Sequence, residues 1–244
     1  MKDARKNIGK LRYERVLLKI SGEALAGEQK FGINPDRLKW IADQLMEVAR
    51  LKVKLAVVVG GGNFFRGGRH SWGISDRVSV DYLGMLSTVM NAVALQEALS
   101  DRKVESRVMS AIEVPQICEP FIRPRAKMHL EKGRVVILAA GTGNPFFSTD
   151  TSASLRALEL GCEIIFKATK VSGVYDCDPE KSSRAKKYRN LSFTKALSKD
   201  LKVMDATALS LCRDHHLPIL VFNLFDKGCL RKALMGEEIG TLIK

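Results

Sequence analysis

The chain has 244 residues, 45% hydrophobic and 27% charged, which is ordinary globular usage and excludes a disordered or fibrous protein. Forty Lys and Arg against 27 Asp and Glu give a formal charge of +13, which favours anionic partners without choosing among nucleic acid, phosphorylated metabolites and acidic surfaces. Five scattered cysteines with no CxxC pair, and four histidines with no ligand spacing, predict neither a disulfide framework nor a metal site of protein ligands.

The opening MKDARKNIGKLRYER is basic and lacks the apolar centre of a secretory signal. No uninterrupted apolar run reaches the roughly 18–20 residues that span a bilayer, so a cytoplasmic protein without membrane contact is expected. Residues 1–12 read as a basic N-terminal arm and 13–244 as a single domain, because no Gly/Ser-rich or Pro-rich linker divides them. The remaining basic residues are dispersed, with a second concentration in IRPRAKMHLEKGR. Without an RNP-like motif or a basic zipper helix, nucleic acid is not the expected partner.

Apolar, β-branched runs at Val16 to Ile20, Leu55 to Val59, Val104 to Met109, Val135 to Ala139, Ile164 to Ala168 and Ile219 to Phe222 read as strands. They alternate with segments of helical period, a pattern of βαβ units and a mainly parallel α/β sheet. Asn34 and Pro35 read as cap and first position of a helix whose Leu38, Ile41, Leu45 and Val48 share one face. A long helix is expected from about Val80 to Leu99, long enough to serve an interface as well. His215 and His216 fall near a helix end, where they would face carbonyls rather than a metal.

Ligands of open parallel sheets bind beyond the carboxyl ends of strands, and four such ends are unusual. In LLKISGEAL, Lys19 interrupts an apolar strand ahead of Ser21 and Gly22; it marks either an anion above the sheet or a lysine snorkelling from an edge. In VVVGGGNFFRGG, Gly60 to Gly62 allow unusual dihedrals or close approach to backbone amides, and Arg66 offers a fork for phosphate oxygens. Neither a G-x-G-x-x-G fingerprint nor the GK[ST] of a Walker loop is present, and a structural turn explains the glycines about as well.

The third end is ILAAGTGNPFFSTDTSASLRALELG. Ser148 to Ser152 cluster at a helix start that suits phosphate, Gly161 marks the helix stop, and Phe146 and Phe147 are placed to stack on a base or pack beneath it. The fourth is FKATKVSGVYDCDP, where Lys167 and Lys170 bracket Thr169 and a turn-rich hairpin or loop insertion follows at Tyr175 to Lys181. Lysine, arginine, glycines and hydroxyls at these four ends converge on phosphoryl transfer. No catalytic histidine or nucleophilic serine motif accompanies them. A phosphate acceptor, already near −2 at neutral pH, needs no general base.

These segments resemble the bacterial uridylate (UMP) kinases of the amino acid kinase fold. The resemblance runs from about Tyr13 onward through LLKISGEAL, VVGGGNFFRG, DYLGMLSTVMNAVALQEAL, RVVILAAGTGNPFFSTDT, KATKVSGVYDCDP, LKVMDATALSL and LPILVFN in that order. It implies a three-layer α/β/α sandwich, transfer from ATP with Mg²⁺ to UMP in pyrimidine nucleotide synthesis, and a homohexamer. Lys19, Ile20, Ser21 and Gly22 are then ATP contacts, joined by Gly62, Arg66, Thr169, Tyr175 and Asp178. Gly61 and Asp81, the latter at the ribose, are UMP contacts, together with Thr142, Gly143, Asn144, Pro145, Phe146, Phe147, Ser148 and Thr149. Asp150 is similar to the acidic group that orients lysines across the transfer site, and Lys19, Arg66 and Asp150 form the catalytic set.

Two departures stand out: Ser172 replaces the family's Asp in KVDGV, and FFSTD replaces FFTTD. GEQKFG, Gly27 to Gly32, matches the region tied to GTP activation in some members, which adds GTP and UTP as effectors. The fold's carboxylate and carbamate kinases would share Lys19 and the glycines, but not Asp81 and GTGNPFF. A nucleic-acid-binding module is the non-enzyme alternative, and it predicts salt-dependent binding without nucleotide turnover.

Overall fold

The computed structural model describes residues 11–29, 31–65, 73–179, 181–182, 184–201 and 203–244. Along the chain lie β1 (Arg15–Ile20), α1 (Gly22–Ala26), α2 (Pro35–Arg50), β2 (Lys54–Val59), α3 (Arg77–Ser100), β3 (Ser106–Ser110), β4 (Glu119–Pro120), α4 (Arg123–Glu131) and β5 (Val135–Ala139). They are followed by α5 (Thr149–Leu160), β6 (Ile164–Thr169), β7 (Asn190–Leu191), α6 (Phe193–Ser198), α7 (Ala206–Asp214), β8 (Ile219–Asn223), α8 (Cys229–Met235) and β9 (Thr241–Ile243). Among the described residues they form one sheet of order β4-β3-β5-β2-β1-β6-β8-β9-β7. Every pairing is parallel except β8 with β9.

All the expected strands are present, within two residues of their expected ends. The short β4, β7 and β9 carry too few residues for a period to register. Strand alternation divides the core in two. Leu18, Val57 and Phe166 face Ile41 and Leu45 of α2, Leu95 and Leu99 of α3, and Leu230 and Leu234 of α8. On the opposite face, Leu17, Val58 and Ile165 meet Leu130 of α4, Ala153, Ala157 and Leu160 of α5, and Leu209 of α7. This is the expected sandwich.

Local caps fix where the helices begin. Asn34 Oδ1 accepts from the amides of Asp36 and Arg37, both at 3.0 Å, and Pro35 fills the first helical position as expected. α3 starts at Arg77, earlier than its apolar period suggests, because Asp76 accepts from the amides of Val78 and Ser79. Its most apolar window has a mean hydropathy of 1.4, enough by length and composition to cross a membrane. No uninterrupted apolar run of that length occurs in it, because Ser87, Thr88 and Asn91 break the stretch, although the window as a whole stays apolar on average. Forty-four per cent of the window is buried, with Leu95 and Leu99 fully inside the core.

Leu11 and Tyr13 pack on the core, and the Arg12 amide donates to Leu234 O at 2.9 Å. The arm before them lies outside the described residues.

Candidate active site

Lys19 of β1 and Lys167 of β6 are direct partners in the parallel register. Each interrupts an apolar run, VLLKI in β1 and IIFKA in β6, and both lie on the face covered by α5. The Lys19 Nζ lies 2.7 Å from Asp150 Oδ1 and the Lys167 Nζ lies 2.7 Å from Asp150 Oδ2. The three side chains are only 11%, 13% and 16% exposed for Lys19, Lys167 and Asp150. Lys167 also donates to Val203 O. Asp150 thus lies between two lysines, Lys19 and Lys167, while Lys170 is exposed.

Burial by itself would raise the Asp150 pKa, but the charges of Lys19 and Lys167 outweigh it and hold the carboxyl below its ordinary value. Burial is the largest influence on Lys167 and lowers its pKa against the attraction of Asp150. The centre carries two cations and one anion, a net positive charge with little water around it. Such a site attracts a phosphate group.

Two cavities flank this centre. One of 570 Å³ is lined by Lys167, Thr169, Tyr175, Asp178 and the segment Gly173 to Pro179. The insertion at its wall is a hairpin closed by an antiparallel bridge between Tyr175 and Lys187. Ser172, one of the two departures, shares a 2.7 Å hydrogen bond with the Tyr175 hydroxyl. The other cavity, of 300 Å³, is lined by Gly61, Gly62, Asp81, Thr142, Asn144, Phe147, Ser148 and Thr149. Gly61 and Gly62, expected to face different nucleotides, both line this smaller cavity.

Helix α5 enters between the cavities, its first turn capped by Ser148, which accepts from the amides of Asp150 and Thr151 at 3.0 and 3.1 Å. Gly161, left-handed at φ 70°, ends the helix as expected. Gly141 and Gly143 also have positive φ, and a Cβ on Gly143 would lie 2.9 Å from Ala111 O. Asp81 accepts from Arg77 Nε at 2.8 Å and from the Phe146 amide at 2.7 Å, so it ties the start of α3 to this loop. Phe146 and Phe147 are 69% and 51% exposed, so both rings are open to a ligand.

The triple glycine has a different physical basis from the one its sequence suggests. Gly60 and Gly61 are not among the glycines with positive φ. A Cβ on Gly61 would come within 2.7 Å of Gly84 O and 2.8 Å of Ser87 Cβ of α3, and one on Gly22 within 2.4 Å of Asn63 Oδ1. These glycines let β1, β2 and α3 converge at the strand ends. Asn63 and Asn91, both buried, then lock the convergence: Asn91 Nδ2 donates to Gly60 O and Asn63 Oδ1, and Asn63 Nδ2 returns a bond to Asn91 Oδ1.

Ile20 is fully buried, so only its backbone is available to a ligand. Ser21 caps α1 without a side-chain cap bond, which leaves its hydroxyl free of that role. Gly22 is buried, and Pro145 is half-buried in the loop before α5. Arg66 lies outside the described residues. Sequence reasoning missed Arg77, which lines the smaller cavity, although its i,i+4 spacing from Asp81 was visible. No cluster of three or more metal-ligating side chains occurs among the described residues.

This arrangement has a family. The sequence profile of the amino acid kinase family matches residues 14–223, and the chain belongs to that family. Its fold is similar to that of the UMP kinase from Bacillus anthracis, with TM-score 0.91 and 40% identity over 95% of this chain and 96% of the other. It is also similar to the UMP kinase from Ureaplasma parvum, with TM-score 0.89 and 34% identity over 96% and 100% of the two chains. The uridylate kinase from Archaeoglobus fulgidus matches with TM-score 0.72 and 26% identity over 94% and 99%.

Proposed function

We propose that this protein is a UMP kinase, transferring the γ-phosphate of ATP to UMP to give ADP and UDP in pyrimidine nucleotide synthesis. The observation that carries the reading is the Lys19–Asp150–Lys167 centre set between two cavities, with Lys167 lining the larger and Ser148 and Thr149, next to Asp150, flanking the smaller. Similarity to the two bacterial UMP kinases supports the choice of acceptor.

ATP takes the larger cavity, with Thr169, Tyr175 and Asp178 around the nucleoside and Lys19, Ser21, Gly22 and Arg66 toward its phosphates. UMP takes the smaller, its ribose on Asp81, its phosphate toward Gly61 and the first turn of α5, and its base beside Thr142 to Phe147. The UMP phosphate is already dianionic and attacks in line without losing a proton. Among the described residues no histidine lines either cavity, and the Asp150 carboxylate is held by both lysines rather than free to act as a base. Its role is to hold two ammonium groups where charge accumulates on the transferring phosphoryl.

Mg²⁺ suits this donor set as a cation carried in on the triphosphate and its water, since it seldom uses an all-protein cage. It neutralises phosphate charge, while the chain's lysines and amides orient the two phosphates.

The exposed Tyr82, Leu86 and Met90 on α3 support self-association, and a homohexamer in the cytoplasm is the assembly we propose. GTP as activator and UTP as inhibitor complete the reading. A coupled assay of ADP release with UMP, CMP, dTMP and carboxylate acceptors tests it. UMP should give the highest kcat/KM, and faster turnover of CMP would overturn the assignment.

A further inference from the structure

We propose that Asp205 is a positioning residue for phosphoryl transfer, acting through the first turn of α5; the inference rests on the kinase reading of the site. Asp205 precedes α7 and caps it, with Oδ1 accepting from the Ala208 amide at 2.9 Å. The same carboxylate reaches out of its own helix. Oδ1 also accepts from the Thr151 hydroxyl at 2.9 Å, and Oδ2 accepts from the Ser148 hydroxyl.

The direction of the Ser148 bond is fixed by counting. Its oxygen already accepts from the amides of Asp150 and Thr151, so both lone pairs are used and its single proton remains for Asp205. Only an acceptor satisfies that hydroxyl. One carboxylate therefore sits at the amide ends of two helices, where negative charge is favoured at both.

What this clamp holds is the site itself. Ser148 and Thr149 line the acceptor cavity, and Asp150 carries Lys19 and Lys167. Two residues before Asp205, Val203 O accepts from Lys167. The segment at 203–205 thus grips both the lysine and the helix that supplies its carboxylate. A cap that served α7 alone would need neither Ser148 nor Thr151.

Asp205→Asn tests the assignment, because it keeps size and the Ala208 bond but turns an N–H toward one of the two hydroxyls. With UMP and ATP varied in turn, kcat/KM for UMP should fall by about 10- to 100-fold, in kcat and KM together, as expected for a catalytic group displaced by a fraction of an ångström. The KM for ATP should stay within about twofold. Thr151→Val removes one arm of the clamp at nearly constant volume, and should give the same split at roughly a few-fold.

If Asp205→Asn does not fold, Thr151→Val decides the question alone. Unchanged turnover per folded molecule, or equal effects on both substrates, overturns the proposal. Preference of the wild type for another acceptor would remove the UMP assignment, and the same split measured with that acceptor would still decide the role of Asp205.

Discussion

Lys19 and Lys167 are side-by-side register partners whose ammonium groups share one carboxylate, that of Asp150. Their like charges repel, and both are largely removed from water. Lys167→Met leaves a neutral Lys19–Asp150 pair, so it should abolish most turnover while leaving stability unchanged or raised. Asp150→Asn leaves two buried ammonium groups without a counter-charge and should cost about 3–5 kcal/mol as well as activity. Urea unfolding of both variants beside the assay checks this, and a destabilised Lys167→Met would contradict it.

The same triad sets a pH dependence. The folded Asp150 pKa lies below the ordinary 3.8, so its contribution to stability is complete above that value and is lost as pH falls through the folded one. The Lys167 pKa is lowered from 10.5, so the unfolded chain binds more protons between the folded value and 10.5, and stability from this group rises with pH there. Activity should move the opposite way, falling at alkaline pH as the Lys167 ammonium is lost. A kcat profile whose alkaline limb is the same in Lys167→Arg would remove Lys167 as its origin.

Asp81 joins α3 to the acceptor loop through the Phe146 amide. Asp81→Asn should raise the KM for UMP by about tenfold, the equivalent of a lost hydrogen bond to a charged group, with kcat changed less. Isothermal titration with UMP should show the same weakening. A loss confined to kcat would argue against a ribose role.

Asn91→Leu deletes both the Gly60 bond and the exchange with Asn63, leaving buried polar groups without partners. A loss of about 2–3 kcal/mol is expected, with a raised KM for UMP if UMP takes the smaller cavity as proposed, because Gly61 lines it. Denaturation and initial rates check the two effects separately, and a variant as stable as wild type would show that the pair does not hold the loop.

The cysteines differ enough to report on the donor site proposed for the larger cavity. Burial raises the thiols of Cys162, Cys212 and Cys229 to about 12, about 11 and about 11, whereas Cys177 is exposed and lines the larger cavity. A maleimide should modify Cys177 first, and ATP should slow that labelling several-fold. Labelling insensitive to ATP would place the nucleotide elsewhere.

The strands were legible because buried parallel strands read as runs of Val, Ile and Leu, and the first turns of α2 and α5 were legible because Asn34 and Ser148 cap within three residues of themselves. Lys19 stood out as a charge among apolar neighbours. The reason for the triple glycine did not. Its sequence reads as a cradle or a turn, whereas Gly61 is required by the approach of Gly84 and Ser87, more than twenty residues away along the chain.

Long-range pairings follow the same division. A local pattern of polarity fixes element type and end, since period and capping act over a few residues. It cannot say that Lys167 rather than Lys170 meets Asp150, because that depends on β1 and β6 being neighbours in the sheet and on the face each side chain takes. Nor can it show that Asp205 reaches back to Ser148, 57 positions away along the chain past α5, β6, β7 and α6. The sequence by itself determined the kinds of elements and which strand ends were chemically unusual. Only the packed sheet decided which of those residues share one carboxylate, because burial and register bring together groups that the chain keeps apart.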